Sequence, residues 1–93
     1  MTTIFKILTE EEWKDFQEKK EFIGSAFDLN DGFIHCSYEN QVQNTLDLFF
    51  KEATNLFLAE IDPKDLNVKV ENGFPHVYEK ISIEKVLNTK KVK

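Results

Sequence analysis

The seven residues Asp31-Gly32-Phe33-Ile34-His35-Cys36-Ser37 leave this chain little choice of path. Asp-Gly makes a turn, because glycine reaches positive φ without steric cost and aspartate hydrogen-bonds its own backbone. Phe33 to Cys36 is bulky and apolar and reads as a short strand, with Ser37 as the N-cap of a following helix. Strand side chains alternate, so Phe33, His35 and Ser37 share one face while Ile34 and Cys36 share the other. One of only two histidines is thereby set beside a hydroxyl at the end of a strand.

The second histidine sits in a matching pattern. Val68 to Glu71 alternates as a strand with one wet face, Asn72-Gly73 is a turn, and Phe74-Pro75-His76-Val77-Tyr78 is extended. Phe74, His76 and Tyr78 then share a face. If it meets the face bearing His35 and Ser37, two imidazoles, a hydroxyl and a phenol converge. Such a group offers donors, acceptors and a stacking ring to a ribose, a nucleobase or a small polyol. It also offers proton transfer near neutral pH.

The remainder supplies the frame. Thr3 to Leu8 is a first strand, and Thr9-Glu10-Glu11-Glu12 is a capping box opening a helix to about Lys20, with Trp13, Phe16 and Gln17 inward. Phe22 to Asn30 reads as a connector anchored by Phe27 and Leu29. A second helix is expected from about Glu39 to Glu52, burying Val42, Thr45, Leu46, Phe49 and Phe50. Gln41 and Thr45 lie one turn apart on it, facing the His35 strand. Leu56 to Ile61 has the unbroken apolar character of an interior strand. Asp62-Pro63 starts a helical turn, and a final strand lies within Ile81 to Val92. The order predicts an α+β domain over residues 1–93: one mostly antiparallel, strongly twisted or split sheet of about five strands, with two main helices.

Bulk properties exclude several classes. The net charge is −5 and the basic residues are all lysines, so double-stranded nucleic acid is not an expected partner. No apolar run approaches the ~20 residues that span a bilayer, and no targeting segment is seen, so a soluble cytoplasmic protein is expected. Cys36 is the single cysteine, which excludes an intrachain disulfide and a cysteine zinc cluster. It faces away from His35 and reads as a buried thiol. No metal site is expected from His35, His76 and a carboxylate such as Glu71 or Asp31, because no HxH or HExxH spacing supports one.

Taken together, Gly24-Ser25, Asp31-Gly32-Phe33-Ile34-His35-x-Ser37, Gln41, Thr45 and Phe74-Pro75-His76-x-Tyr78 resemble a family of small bacterial and plant proteins. It is the family catalogued as domain of unknown function 952, and the resemblance runs from Phe5-Lys6-Ile7 to the last strand. It implies a reduced ADP-ribosyltransferase-like fold, the split-sheet scaffold of tRNA 2′-phosphotransferase and the diphtheria-toxin-like enzymes. In that superfamily a strand histidine followed two residues later by a small hydroxyl residue contacts the nicotinamide-side ribose, a pattern that His35-Cys36-Ser37 matches. The resemblance implies a ligand akin to NAD or ADP-ribose and, for an enzyme, ADP-ribosyl or glycosyl transfer.

Two readings follow. In the first, His35, Ser37, His76 and Tyr78 line a small-molecule pocket with Gln41 and Thr45 as further polar contacts. In the second, the protein is a non-catalytic structural or interaction domain, and both histidine motifs only stabilise the fold.

Overall fold

The computed structural model describes residues 2–93. In chain order the elements are β1 (Ile4–Thr9), α1 (Glu10–Lys19), β2 (Glu21–Phe22), α2 (Ala26–Asp31), β3 (Ile34–His35) and α3 (Val42–Phe49). There follow β4 (Leu56–Ile61), β5 (Val68–Glu71), β6 (Phe74–Val77), β7 (Ile81–Ser82) and β8 (Val86–Lys91). Single 3-10 turns precede α3 (Glu39–Gln41) and β8 (Ile83–Lys85).

The strands form three antiparallel sheets, β1-β4-β8, β2-β7 and β3-β6-β5. A bridge between Phe5 and Ser37, with both amides bonded to the opposite carbonyls, joins the first sheet to the third. The α+β class is as expected. The single sheet of about five strands with two helices is not: among the described residues there are eight strands and three α-helices. The reason is length. β2, β3 and β7 have two residues each, too few to leave an alternation in the sequence.

β4 is central because both of its faces are apolar. Ala59 and Ile61 enter one core cluster with Ile4, Leu8, Phe16, Phe22, Ile34, Val77 and Ile81, while Leu56 and Leu58 enter another with Ile7 and Leu46. α1 packs on the first cluster. Its capping box forms as expected, since Thr9 Oγ1 accepts from the Glu12 amide and Glu12 accepts from the Thr9 amide. Lys20 ends it in the left-handed region at φ 65°. Phe16 is fully buried, stacked on Phe22 at 5.5 Å and met edge-on by Trp13 at 5.7 Å; burial of such a ring contributes roughly 1.5–3 kcal/mol. Gln17 is exposed rather than inward.

Three further expectations are corrected. The stretch from Phe22 to Asn30 is not a connector, because Ser25 and Asp28 cap each other's amides and wind Ala26–Asp31 into α2. Its anchor is Asp28, at 1% exposure, whereas Phe27 and Leu29 face outward at 61% and 58%. Ser37 does not cap the second main helix. Gln41 holds the cap position of α3 without a side-chain cap bond, and its side-chain oxygen instead accepts from the Tyr38 amide at the start of the preceding 3-10 turn. α3 also stops at Phe49, and Phe49 is 71% exposed instead of buried.

Candidate functional site

The register of β3 on β6 decides the site. Ile34 pairs with Val77 and His35 with His76, so both imidazoles leave the same face and their ring centroids are 5.5 Å apart. Phe33 fills the next position on that face, stacked on His76 at 4.1 Å and tilted against His35 at 4.6 Å. Behind it, Ile34, Cys36, Pro75 and Val77 are buried. Burial raises the Cys36 thiol to about 12, leaving it an inert packing group.

His35 is held from below by a buried ion pair. Lys6 alternates with Ile4 and Leu8 on the inward face of β1 and is 7% exposed. Its Nζ lies 3.1 and 2.8 Å from the two oxygens of Asp28 and 2.8 Å from the carbonyl of His35. Asp28 Oδ1 also accepts from the His35 amide and contacts His35 Nδ1 at 2.7 Å. Burial is the largest influence on the Asp28 carboxyl and acts to raise it. The Lys6 charge and hydrogen bond, with the Ser25 amide and His35, outweigh it and hold the group below the usual carboxylate range. On its other edge His35 Nε2 lies 3.0 Å from Asp31 Oδ2. Carboxylates thus occupy both edges of the ring, and Phe27 stacks over it at 4.9 Å.

His76 is held differently. The Tyr78 hydroxyl and His76 Nδ1 both meet Glu71 Oε1, the latter at 2.8 Å. The Tyr78 bond first, and the His76 bond second, hold the Glu71 carboxyl below its ordinary range; the same bond raises the Tyr78 phenol. A carboxylate only accepts, so Nδ1 donates and the neutral ring presents Nε2 as an acceptor. Beside the histidines, Ser37 Oγ lies 3.2 Å from Thr45 Oγ1, which donates to the Gln41 carbonyl at 3.0 Å.

A cleft of about 600 Å³ opens here, within the size range of small-molecule sites. Its polar end is formed by Lys6, Asp28, His35, Ser37, Thr45 and His76, and phenylalanines 5, 27, 49, 50 and 74 wall the rest. Phe27 and Phe49, both largely exposed, border this space.

Of the residues singled out from the sequence, His35, Ser37, His76 and Thr45 line the cleft. Tyr78 and Gln41 do not. Tyr78 stands behind His76 as a partner of Glu71. Gln41 is a clamp, because its Nε2 donates to the carbonyl of Gly73 at 2.9 Å and ties the start of α3 to the β5–β6 turn. Lys6 and Asp28 were missed. A lysine at the inward position between Ile4 and Leu8 was the available signal for the first. Asp28 occupies the position where a capping box ordinarily carries Glu or Gln, and so did not read as one.

The fold and cleft define a small α+β protein with a histidine-bearing pocket. A family model described as a protein of unknown function, DUF952, matches residues 7–89, and the chain belongs to that family. It is similar to the crystal structure of protein CC0527 from Caulobacter crescentus at 34% identity and a TM-score of 0.88, covering 99% of this chain and 87% of that one. A double mutant of CC0527 gives 0.89 over the same shares, at 34% identity. The solution NMR structure of CC0527 gives 0.83 at 35% identity, over 100% and 86% of the two chains. No curated protein matches the sequence.

Proposed function

We propose that the cleft binds a small molecule that joins a flat apolar ring to a hydroxylated sugar, a ribose- or nucleotide-like ligand related to NAD or ADP-ribose. The observation that carries this reading is the direct pairing of His35 with His76 at the polar end of a phenylalanine-walled cleft. The rings of Phe27 and Phe49 offer stacking surfaces at its mouth, while Ser37, Thr45 and His76 Nε2 offer polar partners to hydroxyls. The ADP-ribosyltransferase-like resemblance of His35-Cys36-Ser37 supports the same ligand class. His76, oriented by Glu71, is the group suited to take a proton from a ligand hydroxyl, as glycosyl transfer requires.

Titration with NAD, ADP-ribose and nucleosides, followed by imidazole NMR signals, tests the proposal. The expected result is a shift at His76 with at least one of them. Unmoved signals from both rings with all of them would sink it.

A structural role for His35 alone has its own support, because carboxylates flank both of its nitrogens. Under that division of labour, His35→Ala lowers stability by about 1–3 kcal/mol, measured by denaturant unfolding. His76→Ala keeps the fold and loses the ligand.

A further inference from the structure

Resting on the binding reading above, and narrowing it from NAD and ADP-ribose to their phosphate-free nucleoside portions, we infer that the cleft selects an uncharged or cationic, donor-rich ligand, such as a nucleoside, and rejects its phosphate ester. The argument is a census of protons at the polar end. An ammonium has three N–H donors, and Lys6 has three acceptors within 3.1 Å, two on Asp28 and one on the His35 backbone. Both nitrogens of His35 face carboxylates. Thr45 has one hydroxyl proton and donates it to the Gln41 carbonyl, so Ser37 must be the donor in its contact with Thr45. His76 Nδ1 donates to Glu71. With the His76 ring in its neutral form, every side-chain proton of these five residues is already engaged.

What remains open to a ligand is acceptor capacity: His76 Nε2 and the lone pairs of Ser37 Oγ and Thr45 Oγ1. These match hydroxyl, amide or amino protons and have nothing to give a phosphate oxygen. At the rim, Thr9 and Ser25 keep their hydroxyl protons, but each caps a helix beside its own carboxylate, Glu12 or Asp28. Among the described residues lining the cleft, those two carboxylates face one ammonium. Lys69, the lysine on the same face of the third sheet, lies over the Tyr78 ring at 4.9 Å and does not line the cleft. A phosphate would therefore be desolvated beside negative charge with no free cation.

Calorimetric titration of the unmodified protein at low salt tests this with adenosine and nicotinamide riboside, their 5′-monophosphates, and 5′-amino-5′-deoxyadenosine. Each nucleoside should bind roughly tenfold or more tightly than its monophosphate, since like-charge juxtaposition opposes the ester. The amino compound should bind at least as tightly as adenosine, and added salt should narrow the phosphate gap. Monophosphates that match or exceed the nucleosides would overturn the inference and leave the binding reading intact. Absence of binding by all five compounds would also overturn the inference, and the binding reading would fall with it only if NAD and ADP-ribose failed to bind as well.

Discussion

Asp28 is the residue on which the site's geometry turns, and its removal should be felt as an unpaired charge. Asp28→Asn keeps the shape but leaves the Lys6 ammonium buried beside a neutral amide. Its expected cost is about 3–5 kcal/mol, the usual penalty for breaking one side of a buried pair, read from denaturant midpoints. The pair also predicts a pH dependence. The Asp28 carboxyl is depressed in the folded state, so its contribution is complete above the unfolded value of ~3.9 and is lost as pH falls through the folded value. The acid limb of the stability profile should therefore flatten in the double variant K6M/D28L. At the other histidine, Tyr78 should titrate above the ordinary phenol range by ultraviolet absorbance, and Glu71→Gln should bring it down. At this scale the sequence carried the histidines well, because strand alternation alone assigns His35 and His76 to their faces. It hid Asp28, because the apolar Phe27 and Leu29 beside it look like the anchors that they are not.

Among the elements, α2 is the one that had to be seen in three dimensions. It has six residues, and its only local mark is a reciprocal cap that uses aspartate. Ser25→Ala should cost about 1 kcal/mol. Gly24→Ala should be worse, for two reasons that add. Gly24 has φ +123°, where side chains rarely go, and a Cβ there would lie 2.9 Å from that of Asp28. The neighbour is itself fixed by Lys6, so relief would come only by disturbing the ion pair. Thermal unfolding of the two variants, with Gly24→Ala the lower, checks the ranking. By contrast, α1, β4 and the β5–β6 hairpin were readable: a full capping box, an unbroken apolar run, and an Asn-Gly pair with φ 54° and 83° are strong local signals. α3 was half readable. Its periodic apolar stripe is real, but the periodicity could not tell a face buried in the core from one that borders an open cleft, which is where Phe49 lies.

For the molecule as a whole, the charge balance governs what it meets. With a net charge of −5 and lysine as its sole strongly basic residue type, the chain has little with which to grip a phosphate backbone. No mobility shift of duplex DNA is expected at physiological salt, and a shift would contradict the charge argument. Among the described residues no helix is long and apolar enough to cross a membrane. The division into three sheets was not legible, because it depends on two-residue pairings and on one isolated bridge between Phe5 and Ser37. Those contacts are tertiary, and no periodicity announces them.

The tight connection between Glu71 and Phe74 has a consequence for how such chains can vary. One extra amino acid in that loop, taken up by sliding β6 past β3, would turn the His76 ring to the side where Pro75 and Val77 lie and carry Pro75 out in its stead. Single-residue insertions there should abolish ligand capture even in proteins that still fold, whereas lengthening the segment between Asp62 and Asn67 should be tolerated. A deletion and insertion scan scored separately for solubility and for binding would separate the two loops.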